Sequence, residues 1–355
     1  MTEAAGSGFQ IGKFPIGAAH APFVIAEMSG NHNGSLERAL AIVDAAAEAG
    51  AHAIKLQTYT ADTMTIDLGA GEFLISDPGS PWRGKTLYQL YQEAHTPWEW
   101  HAPLFEHARK RGILAFSTPF DATAVDLLER LGAPCYKIAS FENVDLPLIR
   151  LVARTGKPMI ISTGMADLAE IGEAVDAARG AGAKQLVLLK CTSSYPAPPE
   201  DSNLAAIADL RARFGCEVGL SDHTLGVAAA LAAVALGACV IEKHLTLRRA
   251  DGGVDAAFSM EPAELKMLVE ESRRAWQALG RSQFGPSPAE RGSLVFRRSL
   301  YVVKDMKRGD VLHAGNLRAI RPGLGLPPKH IDALLGKAVN RDISRGTPIS
   351  WDLLK

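Results

Sequence analysis

The sequence predicts a (β/α)8 TIM barrel followed by a small β-rich domain, and three observations carry this prediction. About eight short apolar runs alternate with helical runs over residues 23–280, and glycines end most of the helical runs. The apolar runs lack clean polar alternation, as expected for parallel strands that are covered on both faces. Polar clusters follow nearly every run, which suits strands whose ends converge on one mouth. A doubly wound open sheet is the alternative, and the shared polar mouth favours the barrel.

The elements are assigned in chain order from the apolar runs and the caps between them. Strands are predicted at residues 23–28, 53–57, 113–120, 136–142, 158–165, 185–196, 217–223 and 239–245. The first helix begins after Ser35, a favourable N-cap, and ends at Gly50. Residues 58–96 are polar and long for a connection, so we predict a loop that covers the mouth of the barrel.

Length and composition limit the domain organisation and the partners. We expect a barrel over residues 1–280, in which 1–22 form a lead-in hairpin at the barrel floor. A Pro/Gly/Ser-rich linker is expected at 281–294 and a compact β-rich domain at 295–355. The net charge of −1 gives no electrostatic reason to expect nucleic acid or a membrane as a partner. Without a signal peptide, an apolar span or zinc-like cysteine spacing, a cytoplasmic enzyme is expected.

Two histidines lie at the ends of adjacent predicted strands. In LSDHT, Ser221 and His223 share one face of the strand, and in IEKHLT the same holds for Glu242 and His244. Because neighbouring strand ends meet at the mouth of a parallel barrel, the two imidazoles can approach one divalent cation. The alternative is a pair of hydrogen-bonded histidines at the rim.

Lysines and hydroxyl groups at the other strand ends predict an anion site. Lys55 and Lys137 end two predicted strands, and several serines and threonines follow the others. This set suits a phosphate-bearing anion. A buried lysine is unfavourable unless it is paired, so the alternative is that Lys55 and Lys137 pair with Glu27 and Glu142. A Schiff-base enzyme that uses Lys137 also stays open.

Ordered motifs along nearly the whole chain resemble the sialic acid synthase family. They are IAEMSGNHNGSLERA, AGAHAIKLQTY, STPFD, YKIAS, ISTGM, KCTSSYPAP, GLSDHT and EKHLT. The tail segments RRSLYVV, GDVL, IRPGLG and GKAVNRDISRGTPI resemble the antifreeze-like (SAF) domain of that family. The resemblance implies a barrel that condenses phosphoenolpyruvate (PEP) with the open-chain aldehyde of an acetamido sugar. It also implies a divalent metal, with Mn²⁺ expected and Mg²⁺ or Co²⁺ as alternatives, and a domain-swapped homodimer.

The resemblance further implies a role for each matching position. The residues expected to take part in catalysis are Glu27, Lys55, His223 and His244, the two histidines being the metal ligands. The residues expected to hold PEP are Lys55, Lys137, Ser140, Ser162, Ser193 and Ser221. The residues expected to contact the sugar are Gln57, Thr118, Phe120, Glu142, Tyr195, Asp255 and Arg321, the last reaching the substrate of a partner subunit.

Details of the motifs indicate which sugar is used. The segments EMSGNHN, AHAIKLQTYT, LYQLYQEAHTPWEWH and ADGGVDAAFS are most similar to family members that make pseudaminic acid from 2,4-diacetamido-2,4,6-trideoxy-altrose. That sugar is therefore the expected co-substrate, and the alternative is the same chemistry leading to N-acetylneuraminate or legionaminate. A metal-dependent hydrolase would usually need more carboxylates or histidines around the metal. A non-catalytic binding barrel would not need both lysines and both histidines.

Overall fold

The computed structural model describes residues 8–80 and 82–355, so residues 1–7 of the predicted lead-in lie outside the described chain. Strands β1 (Phe9–Ile11) and β2 (Phe14–Ile16) pair antiparallel, which confirms the predicted hairpin. Ile11 and Ile16 are fully buried and pack with apolar side chains from the first residues of the barrel strands. The hairpin therefore covers the barrel floor.

Eight parallel strands close into one barrel, which confirms the predicted fold class. The strands are β3 (Phe23–Glu27), β4 (Ala53–Thr58), β5 (Leu114–Pro119), β6 (Tyr136–Ile138), β7 (Met159–Ser162), β8 (Leu186–Cys191), β9 (Glu217–Ser221) and β10 (Val240–His244). They follow one another around the barrel, and β10 closes it by pairing with β3. Several strands are shorter than predicted. For example, β6 ends at Ile138 because Ser140–Glu142 forms a 3-10 helix.

Helices surround the barrel, and polar side chains cap the first turns of several of them. They are α1 (Leu36–Glu48), α2 (Ala61–Met64), α3 (Leu87–Ala94), α4 (Trp98–Arg111), α5 (Ala122–Arg130), α6 (Leu146–Ala153), α7 (Leu168–Gly180), α8 (Ala206–Phe214), α9 (Ala228–Ala235) and α10 (Pro262–Leu279). Ser35 caps α1 by accepting from the Arg38 N–H, as predicted, and Asp121 and Asp167 cap α5 and α7. Gly50 follows α1 at φ +85°, a conformation that side-chain-bearing residues rarely adopt.

The prediction of a plain loop at residues 58–96 is wrong, because this part of the chain contains α2 and α3. Thr86 caps α3 in a capping box with Gln89. Apolar residues then recur at the spacing of one helical face, at Leu87, Leu90 and Tyr91. The predicted position at the mouth is correct, since residues from this part of the chain line the cavity described below.

The barrel interior changes from apolar to polar along the strands. Phe23 and Ile25 of β3 pack in the apolar interior near the floor, and Glu27, the next residue on that face, reaches the mouth. In β10, Val240 lies in the same apolar layer, and Glu242 and His244 follow it to the mouth. Along the inward face of a strand, the first residues therefore pack in the apolar floor, and the last residues reach the mouth with polar side chains.

The chain divides into two compact units, Met1–Gly280 and Arg281–Lys355. In the second unit, β11 (Ser299–Val302) pairs antiparallel with β12 (Leu317–Ile320), and α11 (Ile331–Leu334) follows. Its core contains buried aliphatic side chains, including Leu300, Val302 and Ile349. The predicted linker is not irregular throughout, because Pro288–Phe296 forms a 3-10 helix. Over the described residues, none of the helices has the length and apolarity that a bilayer crossing requires.

Candidate active site

A cavity of about 490 Å³ lies at the C-terminal ends of the barrel strands, a volume typical of small-molecule sites. Most of the predicted site residues line it together. They are Glu27, Lys55, Gln57, Phe120, Lys137, Ser140, Glu142, Ser162, Tyr195, Ser221, His223, His244 and Asp255. Elements from all around the barrel therefore deliver these side chains to one place, as strand ends in a closed parallel barrel do.

Three predicted site residues are not among those that line the cavity. Thr118 is fully buried, and its hydroxyl accepts from Lys55 Nζ at 3.3 Å, so it contacts the site through that lysine. The hydroxyl of Ser193 lies 4.0 Å from the thiol of Cys191, which does line the cavity. Arg321 is exposed in the second compact unit, just after β12, and its contact with a partner's substrate stays a prediction.

Two carboxylates share the ammonium group of Lys55 on the cavity floor. Lys55 Nζ lies 3.0 Å from Glu27 Oε2 and 3.2 Å from Glu242 Oε1, and all three side chains are buried. Lys137 Nζ lies 3.8 Å from the same Glu242 oxygen. Of the alternative ion pairs, Lys55–Glu27 is therefore present, whereas Lys137 pairs with Glu242 in place of Glu142, so that Glu242 bridges the two lysines.

Glu242 is a site residue that sequence reasoning missed. It lines the cavity and also accepts a hydrogen bond from the Ser221 hydroxyl at 3.3 Å. The available signal was its alternation with His244 in IEKH, which places both side chains on the inner face of β10. The motif itself does not indicate that Lys55 and Lys137, which belong to other strands, converge on Glu242.

The surroundings shift the pKa values of the two carboxyls in opposite directions. Burial raises the pKa of Glu27 to about 7, against the attraction of Lys55. Burial acts in the same sense on Glu242, but Lys137 and Lys55 together hold its pKa below the usual range. When neighbouring carboxyls are separated in this way, one is a fixed counterion and the other can carry a proton near neutral pH. Glu242 fits the first role and Glu27 the second.

Several buried polar atoms of the cavity lack a protein partner within the described residues. They are Ser162 Oγ, Glu142 Oε2, Glu242 Oε2 and His244 Nδ1. Buried polar groups in folded proteins are nearly always hydrogen-bonded. Because these atoms gather in one cavity, a polar ligand would satisfy them.

The two predicted metal ligands lie side by side. The ring centroids of His223 and His244 are 5.4 Å apart. His223 Nδ1 donates to the Thr192 carbonyl at 2.9 Å, which leaves Nε2 as the nitrogen able to ligate. Burial, with His223 and Lys55 nearby, holds the pKa of His244 well below its usual range, so this imidazole is neutral.

The histidine pair fits a divalent cation that keeps positions open for oxygen ligands. His244 Nδ1 is buried without a partner, as a metal-ligating nitrogen is before the ion binds. Among residues 8–80 and 82–355, no cluster of three or more His, Cys, Asp or Glu could hold a metal. Water and substrate would occupy the remaining coordination positions of the cation, as they do at catalytic metal sites.

The thiol of Cys191 lies in the same cavity as the histidine pair. Burial alone would lower the pKa of His223 and raise that of Cys191. The proximity of the two groups reverses both effects and brings the pKa of the thiol to about 7. Because Cys191 favours the protonated form of His223, a metal bound by this imidazole would have to displace that proton.

A buried ion pair joins the strand ends that carry the two histidines. Asp222 precedes His223 and Lys243 precedes His244, so both point to the opposite face from the cavity. Lys243 Nζ lies 2.8 Å from Asp222 Oδ2 and donates to the Thr224 carbonyl at 2.6 Å. We call this pair the strand clamp. It ties together the two strand ends that carry the histidines.

Models of two protein families match the chain. The NeuB family model matches residues 42–284, and the SAF domain model matches residues 297–355. Among solved structures, N-acetylneuraminic acid (sialic acid) synthetase from Leptospira borgpetersenii in complex with citrate superposes with a TM-score of 0.72 at 34% identity. The superposition covers 81% of this chain and 95% of that one.

Curated relatives align along most of their length. A pseudaminic acid synthase from Campylobacter jejuni is 44% identical over 91% of this chain and 94% of its own. A pseudaminic acid synthase from Helicobacter pylori is 43% identical over 93% and 97%. An N,N'-diacetyllegionaminic acid synthase from C. jejuni is 39% identical over 90% and 96%. The fold, the cavity and these similarities together place the chain in the NeuB family, with a SAF domain at residues 297–355.

Proposed function

We propose that this protein condenses PEP with 2,4-diacetamido-2,4,6-trideoxy-altrose to give pseudaminic acid and phosphate, with the help of a divalent metal. The observation that carries the proposal is one cavity that holds two lysines, two adjacent histidines and the serines Ser140, Ser162 and Ser221. These groups suit an enol phosphate and a metal-bound carbonyl oxygen.

The choice of sugar rests on the relatives. Those named pseudaminic acid synthases are 43–45% identical to this chain, whereas those named N,N'-diacetyllegionaminic acid synthases are 38–39% identical. The alignments have similar coverage, so the difference is not an effect of length. It favours the 2,4-diacetamido-2,4,6-trideoxy sugar of altrose configuration.

The cavity residues divide between the two substrates. Lys55 and Lys137 meet the negative charge of PEP, and hydroxyl groups donate to its oxygens. The serines with this role are Ser140, Ser162 and Ser221. Gln57, Glu142, Tyr195 and Asp255 remain for the hydroxyl and acetamido groups of the sugar. Binding both substrates in one closed site supplies much of the rate enhancement through orientation.

The reaction balances with the groups present. Electrons of the enol double bond of PEP form the new bond from C3 to the aldehyde carbon, and the aldehyde oxygen takes up a proton. Water adds to the electron-poor C2 and loses a proton, which leaves a hydroxyl on C2. This hydroxyl becomes the C2 ketone as the C2–O bond to phosphate breaks, and its proton leaves with the phosphate. Glu27 is the group assigned to the proton of that water, because its pKa of about 7 lets it hold or release one near neutral pH.

His223 and His244 would hold the metal, with Mn²⁺ expected before Mg²⁺ or Co²⁺. A divalent cation bound there would polarise the aldehyde oxygen as a Lewis acid. The protein contributes the neutral imidazole of His244 and the orientation of His223 by the Thr192 carbonyl.

Phosphate release from PEP tests this function directly. The assay compares 2,4-diacetamido-2,4,6-trideoxy-altrose with N-acetylmannosamine and with the precursor of legionaminate, each with and without a chelator. We expect release that requires a sugar, is fastest with the altrose compound and stops with the chelator. Release without any sugar, or full activity in the chelator, would refute the proposal.

His244→Ala tests the metal assignment without relying on turnover. We expect loss of Mn²⁺ binding, measured by electron paramagnetic resonance, together with loss of phosphate release. The fold should survive because the side chain lies in the cavity layer and not in the apolar floor. A variant that binds Mn²⁺ like the native protein would exclude His244 as a ligand.

We also propose a homodimer in which the SAF domain of one subunit meets the barrel unit of the other. The charge distribution supports this arrangement. Residues 281–355 contain 14 Lys or Arg and 6 Asp or Glu, a net charge of +8, whereas residues 1–280 contain 24 and 33, a net charge of −9. Opposite net charges favour association between copies. In this arrangement Arg321 of one subunit reaches the sugar site of the other.

A further inference from the structure

The apolar face of helix α3 lies on the cavity wall. Leu87, Leu90, Tyr91 and Ala94 recur at the spacing of one helical face, and all four line the cavity. We call this set the α3 stripe. An amphipathic helix normally buries such a face against the protein core. Here the stripe borders the space that the substrates occupy.

The cavity consequently has two chemically different sides. Strand ends supply the lysines, carboxylates and histidines of one side. On the other side, Met64 and Ile75 extend the apolar surface of the α3 stripe. Among the described lining residues between positions 60 and 94, the polar exceptions are Asp77, Ser80 and the hydroxyl of Tyr91, while the indole N–H of Trp82 is bonded to the protein. A ligand that spans the cavity therefore meets charge at one end and hydrocarbon at the other.

Aromatic contacts and one hydrogen bond hold the apolar side in place. The ring of Tyr59 packs edge-on against Tyr91 and Phe120, at centroid distances of 5.7 and 5.2 Å. The indole N–H of Trp82 donates to the Val254 carbonyl at 2.9 Å, next to the cavity residue Asp255. A wall held at both ends can discriminate between ligand shapes.

The orientation of the sugar follows from where it must react, and this step rests on the proposed function. The aldehyde carbon has to lie by the histidine pair and next to PEP on the lysine floor. The far end of the sugar, C4 to C6, is then the part left for the apolar side. In the 2,4-diacetamido-2,4,6-trideoxy sugar, this end carries the C6 methyl and the methyl of the C4 acetamido group.

We infer that the α3 stripe receives the methyl-bearing end of the sugar and selects a 6-deoxy sugar over its 6-hydroxy counterpart. The Leu87, Leu90 and Ala94 side chains of the stripe offer no hydrogen bond to a hydroxyl at C6. An apolar pocket rejects an added hydroxyl by about 10²-fold at most. We therefore expect a preference of about 10- to 100-fold in kcat/KM.

The test changes one residue of the stripe and one outside it. Leu87→Asn places an amide of similar size at the first position of α3, where the side chain is only partly buried. Leu68→Asn is the matched control, because Leu68 is 43% exposed and does not line the cavity. Each protein is assayed with 2,4-diacetamido-2,4,6-trideoxy-altrose and with the same sugar carrying a C6 hydroxyl.

The ratio of kcat/KM for the 6-deoxy sugar to that for its 6-hydroxy counterpart should fall at least about fivefold in Leu87→Asn, because the amide can hydrogen-bond to the C6 hydroxyl. The ratio should stay unchanged in Leu68→Asn. Thermal unfolding of both variants shows whether the fold is intact. If Leu87→Asn unfolds, Leu87→Met replaces it and should keep the native ratio while Leu87→Ser lowers it. Equal use of both sugars by the native protein would overturn the inference and leave the synthase function standing. No phosphate release with any acetamido sugar would overturn both.

Discussion

At the scale of single residues, the cavity floor depends on the balance between two lysines and two carboxylates. Glu242 is the shared counterion, 3.2 Å from Lys55 and 3.8 Å from Lys137. Removing one member of a buried ion pair leaves the others without a partner, which destabilises proteins by about 3–5 kcal/mol. The anionic substrate brings negative charge to the same place. Stability of the empty site and binding of PEP are therefore linked through Glu242.

Glu242→Gln should lower the free energy of unfolding by about 3 kcal/mol when PEP is absent. The loss should be smaller with saturating PEP, because the ligand replaces part of the missing negative charge. Urea unfolding with and without PEP measures both values. Glu173→Gln, which neutralises an exposed carboxylate on α7, is the control and should change neither. The same loss with and without PEP would contradict the shared-counterion role.

The raised pKa of Glu27 predicts how the affinity for PEP depends on pH. Burial raises its pKa from 4.5 to about 7, so the proton it holds in the folded protein is lost as the pH rises through about 7. An ionised Glu27 repels the PEP anion, so we expect Kd for PEP to rise above pH 7, by up to about tenfold per pH unit. The free energy of unfolding also falls as the pH rises. The stabilisation linked to protonated Glu27 is fully present below pH 4.5 and is lost as the pH rises through about 7.

Isothermal titration calorimetry of PEP between about pH 6 and pH 9 checks the prediction for Glu27, in metal-free protein. Glu27→Gln keeps the side chain neutral over this whole range, so the rise in Kd should disappear in that variant. A variant with the pH profile of the native protein would assign the titration to another group.

At the scale of elements, the strand clamp joins β9 to β10 behind the histidine pair. Asp222 and Lys243 are both buried, so neither charge can be solvated if its partner is removed. Because each clamp residue is adjacent to a histidine in sequence, a shift of either strand end changes the spacing of the two imidazoles. The clamp therefore couples stability to metal affinity.

Lys243→Met should destabilise the protein by about 3–5 kcal/mol, because the Asp222 carboxylate is left buried without its ammonium partner. The double variant Asp222→Leu, Lys243→Met should recover most of that stability, since it removes both charges. We expect Mn²⁺ affinity to stay weakened in the double variant, because the hydrogen bonds from Lys243 to the β9 end are absent. Denaturant unfolding and Mn²⁺ titration measure the two effects separately. Native Mn²⁺ affinity in the double variant would show that the clamp is structural only.

At the scale of the whole molecule, the charge difference between the two units predicts how the proposed dimer responds to salt. Salt screens attraction between exposed charges, with a Debye length of about 10 Å at 0.1 M and about 3 Å at 1 M. We expect the dimer dissociation constant, measured by analytical ultracentrifugation, to rise as NaCl increases over that range. A monomer at every salt concentration would refute the dimer. A dimer that is insensitive to salt would refute the electrostatic explanation.

Much of the fold was predictable because its signals are local. Alternation of buried runs with capped helices is written in short segments, and each strand needs only its neighbours in sequence to be recognised. Boundaries were less predictable. The polar residues after β6 resemble a continued strand, yet they form a 3-10 helix at Ser140–Glu142. Helix α3 was missed because its apolar stripe is short and lies between polar residues.

By itself, the sequence determined the barrel class, the family and the identity of most side chains at the mouth, since these follow from motifs within single strand ends. Only the tertiary structure decided which side chains meet. Lys55 and Glu242 belong to strands far apart in the chain, and their 3.2 Å contact exists because barrel closure brings β4 and β10 to either side of β3. Likewise, only the packing of α3 shows that its apolar stripe borders the cavity. The physical reason is that burial, charge pairing and pKa depend on distances through space, and no local pattern encodes those distances.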